Sequence, residues 1–166
     1  MDHDILYEVD ICGWAEQQAA ALRRLAARGD MPNDLDLMHV VEEIEDVGNS
    51  HVDAVSSYIR LILSHLLLVA TDPDAAAVPH WCSEVATFHA ELVQRYQPSM
   101  RQRLDADTIW RRALREAQAK FAAFHGDRPA RWPAISGACP LGVEELCDEE
   151  FDIAAATARV RDRLTD

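Results

Sequence analysis

Four carboxylates fall within five positions of the stretch "LMHVVEEIEDVGNSH", residues 37–51: Glu42, Glu43, Glu45 and Asp46. Glu42 and Glu45 are three apart, a spacing that lets two carboxylates share one hard cation such as Mg²⁺. His39 and Glu43 are four apart and could share a transition metal. With water activated by such a metal and phosphate held by a cation, the chemistry would be metal-dependent hydrolysis. All-α nucleotide pyrophosphohydrolases use paired E-x-x-E and E-x-x-D motifs of this kind. A second acidic pair, Glu145 and Asp148, lies far along the chain in a short segment, not where such a site would need it.

On a helical wheel of about 100° per residue, Leu37, Val40, Val41, Ile44 and Val47 form one apolar arc. Glu42 and Asp46 lie opposite its centre. Glu45 sits on one shoulder, His39 and Glu43 on the other. Carboxylates opposite a core stripe are usually solvated. In a chain with 29 acidic residues such pairs also arise by chance. No motif fixes a ligand set, so no cofactor is expected; His39, Glu42, Glu45 and Asp46 are the residues that would hold a divalent cation if one bound. His51 and His65, about 21 Å apart along one helix, cannot share an ion unless the helix breaks at Gly48 and Asn49. The chain has no glycine-rich phosphate loop, nucleophile elbow or H-E-x-x-H motif.

Arg60 lies in "YIRLILSHLLLVA" (58–70), which is apolar on nearly every face. A buried guanidinium requires a carboxylate partner. In an unbroken helix it projects on the side of Glu42 and Asp46, and Glu43 or Glu45 is the expected partner. Glu42, Glu43, Glu45, Arg60 and His65 are therefore the candidate buried ion-pair or polar site. His65 falls inside the apolar arc and reads as a hydrogen-bonded core histidine.

The elements that must position these residues are helices. Ala and Leu dominate a composition that is 49% apolar, and no alternating β-branched runs occur. Asp10 caps a first helix ending at Gly29, with Trp14, Ala21, Leu22 and Leu25 as its buried stripe. After the "DMPND" turn, Asp34 or Asp36 caps a long helix to about Ala70. A third helix runs from Pro79 to about Gln97, its face carrying Trp81, Val85, Phe88, Leu92 and Tyr96. "SMRQRL" forms a short turn. Asp105 or Asp107 caps a fourth helix to about His125, with a stripe from Ile109 to Phe124. An ordered Gly/Pro-rich loop buries Trp132 and Ile135. A short helix then precedes a last amphipathic one over 152–164. The expected fold is all-α, an antiparallel bundle of four main helices with a short C-terminal helix or two, in one domain over 1–166. Trp81, Phe88 and Trp110 near His65 would line any ligand cavity in its core.

A formal charge of −13 repels nucleic acid and anionic membranes. It suits a basic protein partner or a bound cation, and a protein partner, or a homo-oligomer with a contact through residues 152–166, is expected. The longest apolar run is too short for a membrane span of about twenty residues, and the acidic start lacks a signal peptide's basic region. A cytoplasmic location with Cys12, Cys82, Cys139 and Cys147 all free is expected.

Four stretches carry a family resemblance: "YEVDICGWAEQQAAALR" (7–23), "LDLMHVVEEIEDVGNSHVDAVSSYIRLILSHLLLVA" (35–70), "PSMRQRL" (98–104) and "CPLGVEELCDEEF" (139–151). In this order and spacing they resemble DUF29, a bacterial family, over about residues 7–151. The matching positions are Trp14, Glu42, Glu43, Glu45, Gly48, Arg60, His65, Leu66, Cys139, Pro140 and Phe151. The resemblance implies an all-α fold. It carries no established activity, cofactor or catalytic residue. Two departures stand out: "LVATD" replaces the usual Lys or Trp after the "HLL" run, and residues 152–166 extend past the usual end. Two functions follow as expectations. The first is a non-catalytic interaction or regulatory module. The alternative is a metal-dependent nucleotide hydrolase using Glu42 and Glu45, with Asp46 or His39, and Arg60 on phosphate.

Overall fold

The computed structural model describes residues 3–28, 32, 34–125 and 137–165. The elements are α1 (His3–Val9), α2 (Ile11–Ala26), α3 (Leu37–Thr71), α4 (Val78–Arg95), a 3₁₀ segment (Pro98–Arg103), α5 (Ala106–His125), α6 (Val143–Leu146) and α7 (Ile153–Thr165). No strand occurs among the described residues; the fold is all-α, as expected. The expected stop at Gly29, most of the 30–34 turn and the loop holding Trp132 and Ile135 lie outside the described residues. The chain gathers into two compact units: Met1–Ala54 with Gln97–Arg103, and Val55–Tyr96 with Leu104–Asp166.

In the first unit α1 is an addition to the sequence reading, separated from α2 by Asp10 alone. The Asp10 carboxylate makes that junction. It accepts from the Gly13 N–H at 2.8 Å as the cap of α2 and from the Ser99 hydroxyl of the 3₁₀ segment at 2.7 Å, so one side chain starts a helix and ties down a distant segment. Tyr7 meets Trp14 edge to face, with centroids 4.9 Å apart. The buried face of α2 is Cys12, Ala15 and Ala19. The expected stripe is displaced: Trp14, Ala21 and Leu22 are half-buried and Leu25 is exposed. The reason is close approach. Gly48 of α3 is buried, and a Cβ placed on it would sit 3.5 Å from the Ala15 Cβ and 3.8 Å from the Cys12 Cα. Small residues on both helices let them approach until a Cβ at Gly48 would make ordinary contact, and large side chains lie on the flanks.

α3 runs unbroken through Gly48 and Asn49. The Asp36 carboxylate accepts from the His39 N–H at its start. Among the described residues α3 alone is long and apolar enough to cross a bilayer, but most of its apolar window is buried inside the protein.

The second unit is built on the end of α3. Every residue from Ile62 to Ala70 is buried, which requires neighbours on all sides. Trp81, Val85 and Leu92 of α4 are buried as expected, with Phe88 and Tyr96 half-buried. So are Ile109, Trp110, Ala113, Leu114, Ala117 and Phe121 of α5, and Ala156 and Val160 of α7. Pro79 occupies the first turn of α4, where its missing N–H costs nothing. Asp105 caps α5 through the N–H groups of Asp107 and Thr108, and Asp152 caps α7 through those of Ala154 and Ala155.

Candidate functional site

The close approach at Gly48 opens at its edge into a cavity of about 280 Å³, lined by Ala15, Glu16, Glu45, Gly48, Asn49 and Arg103. Its polar groups are already paired. Arg23 grips Glu45 with both terminal nitrogens, at 2.6 and 2.5 Å. This fork geometry suits a carboxylate. Arg103, from the 3₁₀ segment, donates to the Asn49 side-chain oxygen and lies 3.6 Å from Glu16. The Arg23 hydrogen bonds hold the Glu45 carboxyl below its usual range. Beneath the cavity the Cys12 thiol donates to the Gly48 carbonyl at 3.5 Å. Burial, and then the Asp10 charge, push that thiol up to about 11. A carboxylate with both oxygens held by Arg23 is a weak base, and a buried protonated thiol is a weak nucleophile. The arrangement is a charge-balanced lock holding α2, α3 and the 3₁₀ segment in register.

The acid cluster does not converge. Glu42, Glu43 and Asp46 are exposed, and Glu45 is committed to Arg23. Asp46 accepts from the Asn49 side chain at 3.1 Å. His39 reaches Asp36 through Nδ1. This contact raises the His39 pKa, chiefly by hydrogen bonding. Among the described residues no group of three His, Cys, Asp or Glu side chains is placed to hold an ion. Glu145 of the second acidic pair binds Arg159.

The expected pairing of Arg60 with Glu43 or Glu45 is corrected. Arg60 pairs with Glu116 of α5, which also takes the Lys120 ammonium at 2.9 Å. Reading one helix alone pointed to carboxylates on the same helix; tertiary packing supplies one from another. Of the five residues proposed as one polar site, Glu45, Arg60 and His65 each take a different partner, and Glu42 and Glu43 are exposed. His65 behaves as read: it is 8% exposed, its Nδ1 bonds the Leu61 carbonyl at 2.8 Å and its ring lies 5.5 Å from Phe88. Burial pushes its pKa down, so it is a neutral core histidine. All four cysteines are free.

The wheel of α3 could not show Glu16, Arg23 and Arg103 around Gly48. A signal did exist. The cavity draws its lining from three of the four stretches that carry the family resemblance: 7–23, 35–70 and 98–104.

These features define a class first: an all-α protein whose motifs build a helix-crossing lock. The chain belongs to the DUF29 family, a domain of unknown function, whose pattern matches residues 6–152. A solved α-helical protein of unknown function from Rhodospirillum rubrum is 38% identical, with a TM-score of 0.79 over 92% of this chain and 96% of that one. No curated protein matches the chain.

Proposed function

We propose that the protein is a non-catalytic interaction module that binds a basic polypeptide through an apolar face of its first unit. The observation that carries this reading is the half-covered arc of α3. Leu37 and Val41 are buried, whereas Val40 and Val47 are 39% and 41% exposed. Met38, Ile5 and Val9, all in the same unit, are more exposed still. Every large hydrophobic side chain found exposed among the described residues falls within 5–47. Exposed apolar groups concentrated in one part of a protein mark an interaction surface. Glu43 flanks the arc, and Glu42 and Asp46 lie on the opposite side of the same helix; all three are exposed and make no ion pair with Lys or Arg among the described residues, so a cationic partner complements this stretch of α3. The hydrolase alternative needs Glu42, Glu45 and Asp46 or His39 around one ion, and Glu45 is engaged elsewhere.

The test is purification of the full chain and of a Val40→Asp/Val47→Asp variant from the native host, followed by mass spectrometry and sedimentation. A basic protein held stoichiometrically by the wild type and lost from the variant, at unchanged melting temperature, is the expected result. A partner retained by the variant would overturn the reading. So would a wild type that sediments alone.

A further inference from the structure

We infer that the groove beside α7 in the second unit is a binding site for an amphipathic carboxylate with a linear apolar tail, of the fatty-acid class. It goes beyond the protein-binding role and uses none of the same residues. The groove has a volume of about 530 Å³, within the range of small-molecule sites, which are mostly apolar with a few placed polar groups. Val69 of α3 and Thr157 of α7 are buried at its lining. The Thr157 hydroxyl is spent on the Ile153 carbonyl at 2.7 Å. Ala154 and Ala158, one turn apart, leave the hollow that larger side chains would fill. Cys82 of α4 adds a polarisable wall.

Among the described residues the one charged group lining this groove is Arg161. Its neighbour Arg159 is engaged by Glu145 and the Pro140 carbonyl, whereas Arg161 makes no ion pair or hydrogen bond among the described residues. An apolar trough with one unneutralised guanidinium complements a carboxylate head and a hydrocarbon tail, since guanidinium geometry matches carboxylate. A cationic amphiphile would meet Arg161 unfavourably. Ile153, Ala154, Thr157, Ala158 and Arg161 lie beyond the family match, which ends at 152. The α7 side of the groove therefore lies outside the family match, and its Val69 and Cys82 side inside it.

Cys82 reports occupancy directly. The thiols of Cys12, Cys139 and Cys147 are pushed by burial up to about 11, 11 and 12, so they alkylate slowly and serve as internal references. The full chain is treated with N-ethylmaleimide, with decanoate below its micellar concentration, and alkylation is followed by peptide mass spectrometry. Decanoate should slow alkylation of Cys82 about tenfold at ten times its Kd, and decyltrimethylammonium should not. Arg161→Glu and Ala158→Trp, both at exposed positions, should each remove the protection while melting like the wild type. Four results would overturn the inference: no slowing by decanoate, equal slowing by the cationic amphiphile, protection retained in both variants, or decanoate accelerating alkylation of the reference thiols by unfolding the chain. Protection that rises with protein concentration in the absence of decanoate would also overturn it, by assigning the groove to a second copy.

Discussion

Replacing Gly48 with alanine should stabilise the protein, although the glycine is buried at a helix crossing. The added Cβ would lie 3.5 Å from the Ala15 Cβ, 3.5 Å from an Arg103 guanidinium nitrogen and 3.8 Å from the Cys12 Cα. These are ordinary contact distances, so no overlap opposes the change. Glycine inside a helix is about 0.8–1 kcal/mol less favourable than alanine. The net gain is therefore about 0.5–1 kcal/mol. For each kcal/mol the melting temperature rises about 2–4 °C if the whole chain melts in one transition, or about 4–8 °C if a smaller unit melts alone. Differential scanning calorimetry distinguishes these cases. Gly48→Val is the counter-test. Its γ-methyl groups must enter the space next to Ala15 and Cys12, and overpacking of that kind costs about 1–3 kcal/mol. A lower melting temperature for Gly48→Ala would refute the crossing geometry, as would a Gly48→Val variant with wild-type stability.

Three further outcomes are expected. His65 is buried neutral with a lowered pKa, so the unfolded chain binds its proton first. Stability should hold above about pH 6.5 and fall as pH drops below it, levelling off past the folded pKa. His65→Gln should flatten that part of the melting profile between pH 7.5 and 5.5, and an unchanged slope would show that other groups dominate. Asp10→Ala removes both the α2 cap and the Ser99 tie, so its cost belongs at the upper end of the capping range, about 1–2 kcal/mol; urea titration should show a lower midpoint, and a loss below about 0.5 kcal/mol would contradict the double role. Glu116→Gln leaves Arg60 and Lys120 facing each other without their shared counter-charge. With these side chains only 22–33% exposed, the loss should fall between surface and buried pairs, about 1–2 kcal/mol. High salt should partly restore the loss by screening the repulsion; a variant as stable as the wild type would show the pair to be incidental.

Local rules carried the sequence reading a long way. Asp10, Asp36 and Asp105, each named as a cap or as one of two cap alternatives, accept backbone N–H groups at three helix starts, because an acceptor before an apolar-periodic run can be recognised without knowing what packs on it. Most of the buried stripes of α4 and α5 and the core placement of His65 follow from periodicity and hydropathy alone. Which apolar residues a neighbour covers is a different matter. Val40 and Val41 have the same chemistry, and only Val41 is buried. On α2, hydropathy points to Leu22 and Leu25, while the face buried is the small one of Cys12, Ala15 and Ala19, where α3 passes at Gly48. Charge pairing was equally out of reach: Arg60 meets a carboxylate 56 positions later, and Glu45 meets Arg23 on the preceding helix. Helix type and caps are fixed by contacts within a few residues, so the sequence by itself determined them. The crossing at Gly48, the ion pairs and the groove beside α7 join residues distant along the chain, and tertiary structure alone decided which of many acceptable partners met.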